Sequence, residues 1–341
     1  MFKEKKFFVL FLLVVFLAAS CTKFELTTPS DVLNNPSSKD YSAIVNSWDS
    51  YIVVHPFNPE IQKPHLLKLI ESGVLRGVRL ERSDIPDIQN FARWFISHGV
   101  EVLGLFENEH LSEPNVCQIF SRRIMNNRQI TTWQIGNEVQ NFVGMGAKEY
   151  VSILRKLFLY TRQHHPHIVI ASQASVGTGK GADTLRKMID AGLDKLCYEG
   201  LPIVAIHYYS HTTTRLDELK SQIARIPIST RIWVTETNIR DWNQQIGYVQ
   251  KVYPMIRSLR VERIYCYVFS GRNDYSLVKG LPDGLPAEYS PLMKLLSGES
   301  ASMGVNSLGD KSSEAFVQNS TPDNNSISDK PNNKSKQRIQ R

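Results

Sequence analysis

From Tyr51 to Leu296 the chain alternates short apolar runs with longer stretches whose apolar positions recur every three or four residues. The runs Tyr51–His55, Gly77–Leu80, Val100–Phe106, Thr131–Ile135, His167–Ser172, Pro202–His207, Arg231–Thr235 and Arg263–Phe269 have the length and bounding residues of strands. Helical spacing follows each one, over Ile61–Ser72, Ile85–His98, Asn115–Asn126, Ala147–His164, Ala182–Leu196, Arg215–Ile226, Gln244–Leu259 and Ser290–Leu296. Strand then helix, eight times over, predicts an α/β fold: a (β/α)8 barrel with its helices outside, filling residues 50–297 as a single catalytic domain. An open doubly wound sheet is the alternative, but it would carry a Gly-rich phosphate loop after the first strand, and the sequence has none there.

The two ends read differently. Residues 1–20 pair a basic start, Lys3 to Lys6, with an apolar run from Phe7 to Leu17 and the small residues Ala18-Ala19-Ser20 before Cys21. This resembles a bacterial lipoprotein signal peptide, which implies cleavage before Cys21, lipidation of its thiol, and a membrane-anchored protein of the cell envelope facing periplasm or exterior. Residues 21–49 are rich in Ser, Asn, Asp and Pro and suit a polar tether. Residues 298–341 carry few large apolar side chains, so their burial cannot offset the entropy of ordering, and a disordered tail is expected.

The formal net charge of +7 suggests a polyanion partner until its sources are located. Lys3, Lys5 and Lys6 belong to the leader and several more basic residues to the tail, and no basic stripe with interleaved aromatics remains, which argues against nucleic acid. With Cys21 assigned to lipid, Cys117, Cys197 and Cys266 are an odd number without metal-ligand spacing, so they read as small buried residues.

Two strand ends carry the candidate chemistry. Trp133-Gln134-Ile135-Gly136-Asn137-Glu138 and Ile232-Trp233-Val234-Thr235-Glu236 each run from buried-strand character into a glutamate. In a barrel, such positions lie on the face where active sites are built. A pair of carboxylates there can break a glycosidic bond, one as acid and then base, the other as nucleophile. His207 and Tyr209 are two apart and share a strand face, Arg79 lies in the second strand, and His55 ends the first. Glu107 and Asn108 after the third strand are polar at the same end and have no assigned role.

These segments resemble the clan A glycoside hydrolases, barrels with acid/base and nucleophile glutamates on strands four and seven. Gly136-Asn137-Glu138 is similar to the clan's Asn-Glu pair, Val234-Thr235-Glu236 to its nucleophile strand, Gly77-Val78-Arg79 to its second-strand arginine, and Ile206-His207-Tyr208-Tyr209 to its sixth-strand His-x-Tyr element. The resemblance implies that Glu138 is the acid/base, that Asn137 bonds a sugar 2-hydroxyl, that Glu236 attacks the anomeric carbon, and that Tyr209 orients it. Arg79 and Tyr209 would favour the charged form of Glu236, while burial and a neighbouring negative charge would keep Glu138 protonated. Carboxyl groups about 5–5.5 Å apart are expected, the spacing of a retaining enzyme.

Sugar rings have apolar faces, so aromatic platforms are expected beside the acids. Tyr208, Trp242, Tyr267, Phe269 and Tyr275 are candidates, whereas Trp133 reads as core. The clan often ends strand eight on tryptophan, where this chain has Tyr267-Val268-Phe269-Ser270. Gly177-Thr178-Gly179-Lys180 lacks the first glycine and the Ser or Thr of a P-loop, and His164, His165 and His167 fall at the barrel's opposite face, where a stability role is expected. Metal and organic cofactors are not called for. The expectation is a retaining glycosidase acting on β-linked oligo- or polysaccharides; a surface glycan-binding lipoprotein and a transglycosylase are the alternatives.

Overall fold

The computed structural model describes residues 44, 47–81, 86–176, 182–209, 216–271 and 275–298. The leader, Cys21, the tether to residue 43, the Gly177–Lys180 stretch and the tail beyond 298 lie outside the described residues. Strands β1 (Tyr51–Val54), β2 (Gly77–Leu80), β3 (Glu101–Phe106), β4 (Thr132–Ile135), β5 (Val169–Ala171), β6 (Ile203–His207), β7 (Arg231–Thr237) and β8 (Val261–Cys266) form one sheet. All the pairings are parallel, and β1 joins β8 while β5 joins β6 at Ala171 and Ile203, which closes the barrel. Ser175–Val176 continues beyond β5 to pair with β6.

Helices α1 (Pro59–Glu71), α2 (Pro86–Ser97), α3 (Val116–Asn126), α4 (Ala147–His164), α5 (Ala182–Asp190), α6 (Leu216–Ile223), α7 (Gln245–Arg257) and α8 (Pro291–Leu296) alternate with the strands. The expected fifth helix is broken: Gly192, at φ +103°, separates α5 from a short helix over Leu193–Tyr198. Helix starts follow from local chemistry. Asn58 accepts from the Ile61 amide ahead of α1 and Ser290 from the Met293 amide ahead of α8, each with proline next in the chain.

Alternation along each strand sorts the side chains into two cores. Ile52, Val54, Val78, Leu80, Trp133, Ile135, Val204, Ile206, Ile232 and Val234 face the helices. Val53, Leu103, Ala171, Ile203, Trp233, Tyr265 and Val268 fill the barrel interior. The interior is closed toward the strand N-termini by Tyr51, Trp233 and Tyr265, with the Arg263 guanidinium 4.4 Å from the Trp233 ring and 4.9 Å from that of Tyr51, and ion-paired to Glu101. Gly77 is required beneath this floor, since a Cβ there would meet the Tyr51 ring at 2.5 Å.

Packing against the barrel is already present at residues 44 and 48. Ile44 and Trp48 are buried, and Trp48 stacks on Tyr253 and donates from Nε1 to the Val74 carbonyl. Asp49 accepts from Arg257 at 2.6 Å and from the Ile264 amide. Cys117, Cys197 and Cys266 are free and buried, as expected.

Candidate active site

Glu138 and Glu236 meet at the strand C-termini. One carboxylate oxygen of each, together with a ring nitrogen of His207, lie mutually within 4.8 Å. Two separate irregularities in the strands bring the acids there.

Along β7, strict alternation would point Trp233 and Thr235 inward and Glu236 toward the helices. The register shows why it does not. From Ile206 to His207 the partner positions advance from Val234 to Glu236, and from Ile264 to Cys266 they advance from Val234 to Thr237. β7 thus carries an extra residue relative to both neighbours, a bulge that re-aims Glu236 into the barrel beside His207. Asn238, just beyond, donates to the carbonyls of Tyr267 and Tyr275 at 2.6 and 2.7 Å and holds the adjoining wall.

At the end of β4 the chain turns within two residues. Gly136 has φ +78°, and a Cβ there would meet Val139 at 2.7 Å. Glu138 itself is left-handed, at φ 44° and ψ 44°, a conformation costing a non-glycine residue about 1–2 kcal/mol. Surrounding hydrogen bonds enforce it. Asn108 grips the Asn137 backbone at both ends, accepting from its N–H at 2.7 Å and donating to its carbonyl at 2.7 Å. The Glu138 amide donates to the Ala174 carbonyl, and the Val139 amide to Gln173 Oε1 at 2.6 Å. Tyr150 ties in the strand beneath by donating to the Ile135 carbonyl.

Around Glu236, Arg79 Nη1 donates to Oε1 at 2.6 Å and the Tyr209 hydroxyl to Oε2 at 2.6 Å, so both oxygens are fixed. Burial, and then the adjacent carboxylate, push the Tyr209 phenol well above its ordinary value, which keeps it a donor. Arg79 is fully buried; its second amino group donates to Asn137 Oδ1 at 2.8 Å, and Glu81 Oε1 lies 3.2 Å from Nη1. His207 Nδ1 is 2.6 Å from Glu138 Oε1, and its Nε2 stands 3.3 Å from Glu236 Oε1, off the line of a hydrogen bond. Asn141 Nδ2 donates to Glu138 Oε2 at 3.0 Å.

Glu138 departs from the expected protonation. Burial raises its pKa, but His207 at 2.6 Å, Asn141 and Arg79 together outweigh burial and hold the carboxyl below its ordinary value. The nearest ionisable group to the Glu138 carboxyl is the His207 imidazole, closer than any carboxylate.

The remaining candidates divide. Tyr267, Tyr275 and Tyr209 form a cluster with ring centroids about 6 Å apart, and His55 packs its edge against Tyr267 at 5.5 Å. Trp242, half-buried in the loop after β7, donates from Nε1 to the Ser276 carbonyl, with Lys279 over its ring at 4.2 Å. Phe269 and Tyr208 are not platforms: both are buried in the layer between barrel and helices. Tyr208 faces outward because His207 and Tyr209 face in, and β8 ends at Cys266, so Phe269 no longer shares a strand face with Tyr267. Glu107 is buried at Arg123, 3.3 Å away, and anchors the loop after β3 from beneath. Of the three histidines at the C-terminal end of α4, His165 meets Ser121 at 2.8 Å while His164 and His167 are exposed.

No protein-family model matches the chain, and no curated protein matches it. Among solved structures, it is similar to a GH128 (subgroup IV) endo-β-1,3-glucanase from Lentinula edodes, with 14% identity over 73% of this chain and 99% of that one, at a TM-score of 0.51. It is also similar to a β-glucuronidase from an uncultured Clostridium species, with 12% identity over 74% of this chain and 50% of that one, at a TM-score of 0.51. At these identities the likeness is one of fold: the described chain is a (β/α)8 barrel.

Proposed function

We propose that this protein is a retaining glycoside hydrolase that cleaves β-linked oligo- or polysaccharides by double displacement, with Glu236 as nucleophile and Glu138 as acid/base. The observation that carries this is that one oxygen of each carboxylate lies within 4.8 Å of the other, beside His207. An inverting pair stands about 6.5–9.5 Å apart, with room for a water, whereas retaining pairs stand about 5–5.5 Å apart. Glu236, gripped at both oxygens, attacks the anomeric carbon as the glycosidic bond breaks. The departing oxygen takes a proton from Glu138, which then removes one from the water that releases the sugar.

His207 Nδ1, 2.6 Å from Glu138 Oε1, is the nearest group to the acid. Since the carboxyl is held low, the basic limb of the kcat/KM profile lies toward acid pH. Asn141→Ala removes a donor to the carboxylate and leaves the burial that raises its pKa, so the limb should move to higher pH with kcat at the optimum little changed. A pH profile in which the limb stays in place would disconnect Glu138 from it.

The direct test is the anomer first released from a β-glycoside, followed by proton NMR before mutarotation. The β anomer is expected. An α anomer as first product overturns the retaining mechanism. Lipid attachment at Cys21 and display at the cell envelope are part of the same proposal and rest on residues 1–21 alone.

A further inference from the structure

Glu81 and His55 are acid and base side chains of the same mouth that the proposed chemistry leaves unused. They follow β2 and β1, adjacent strands paired in register from Tyr51 with Gly77 to Val54 with Leu80, and so they emerge side by side. His55 Nε2 lies 2.8 Å from Glu81 Oε2, and Glu81 Oε1 lies 3.2 Å from Arg79, which binds Glu236. Charges therefore alternate from the nucleophile to the rim: Glu236, Arg79, Glu81, His55. Arg79 is fully buried, but the side chains of Glu81 and His55 keep 18% and 35% of their surface exposed. The outer half of the chain is open to a ligand and the inner half is not.

Their side of the pocket decides what that ligand is. Both groups stand beside Glu236, and His55 packs on Tyr267, which packs on Tyr209, the donor to Glu236 Oε2. Glu138 lies across His207 from them. In a double displacement the sugar joined to the nucleophile is the glycone, and the leaving group departs past the acid. Glu81 and His55 therefore face the glycone.

We propose that Glu81 and His55 form the hydroxyl-reading wall of the glycone pocket and select a neutral sugar with free adjacent hydroxyls over a uronic acid. This rests on the glycosidase assignment above. An ionised carboxylate offers two acceptor oxygens and no donor, which suits a pair of sugar hydroxyls and repels a sugar carboxylate. Although burial opposes it, His55 and then Arg79 hold the Glu81 carboxyl down at about 2, so it is an acceptor throughout the working range. Burial likewise works against charge on His55, but Glu81 outweighs it and raises the imidazole; with Nε2 buried against Glu81, Nδ1 is the donor left for the same ring.

The test uses 4-nitrophenyl β-glycosides, so that the leaving group is constant and only the glycone varies. Wild type is expected to prefer the neutral glycoside to the matching uronide. Glu81→Gln should lower kcat/KM on the neutral sugar about 10- to 100-fold, the scale of a lost charged hydrogen bond, and narrow the neutral-to-uronide ratio at least about tenfold. On the deoxy glycoside lacking the recognised hydroxyl, wild type and variant should converge. His55→Asn should also weaken the neutral substrate, about tenfold, without improving the uronide, since the carboxylate remains.

A purely positioning role, exerted through Arg79 on Glu236, would lower every glycoside by the same factor; that result in either variant overturns the proposal. A wild-type preference for the uronide, or a Glu81→Gln enzyme indistinguishable from wild type, does so too. A wild-type protein inert on all the glycosides would instead remove the glycosidase assignment, and this proposal with it.

Discussion

Glu236→Ala is expected to lower kcat on a β-glycoside by about 10⁵-fold or more, the scale on which an enzyme loses its nucleophile. Oε1 and Oε2 are the atoms that Arg79 and Tyr209 aim, and both partners are donors, so neither of them can take over the attack. The truncation leaves a small space lined by a guanidinium and a phenol, which favours anions. Azide should therefore restore turnover, and because it attacks the face opposite the leaving group, a β-glycoside should yield the α-glycosyl azide. That product separates a missing nucleophile from a misfolded barrel. Arg79, fully buried, keeps Glu81 at 3.2 Å after the change, so the uncompensated charge is partial and the thermal midpoint should fall by less than removal of a sole buried partner would cause. An Ala variant that retains near-wild-type turnover without azide would exclude Glu236 as nucleophile.

How far such a site can be read from the chain depends on whether it obeys a period. The barrel was legible because strand runs and helical spacings repeat, and a parallel sheet buried on both faces leaves near-continuous apolar strands. Arg79 and His207 were legible for the same reason: Val78, Leu80 and Ile206 face the helices, so their neighbours face in. Tyr208 could have been excluded as a platform on that very alternation. Glu236 reaches the pocket only through the bulge in β7, which the sequence does not announce; taken strictly, Thr235 would have pointed inward in its place.

The contacts that shape the acid were harder still to see. Asn108 grips Asn137 from the loop after β3, and Gln173 reaches Val139 from beyond β5, pairings between segments that carry no mutual period. The direction of the Glu138 shift was missed because it depends on His207 Nδ1 standing 2.6 Å away, a matter of atoms within a pocket whose membership alone was foreseeable.

Glu138→Ala should separate the two halves of the reaction by leaving group. On a glycoside whose aglycone is a poor leaving group, kcat/KM is expected to fall about 10²–10⁴-fold, the worth of a positioned general acid. A dinitrophenyl glycoside needs no proton to depart, so its first step should be nearly unaffected, while hydrolysis of the glycosyl-enzyme loses its base. The covalent intermediate then accumulates. A burst of dinitrophenol equal to the enzyme concentration, followed by a slow steady rate, is the expected trace, with the trapped sugar on the Glu236 peptide by mass spectrometry. Azide, which needs no deprotonation, should speed the steady phase and give the β-glycosyl azide, the opposite anomer from that of Glu236→Ala. The opposition follows from position alone: one vacancy opens beneath the anomeric carbon and the other on the leaving-group side, at His207 and Asn141. Identical anomers from the two variants would mean that the carboxylates do not flank the bond, whatever their separation.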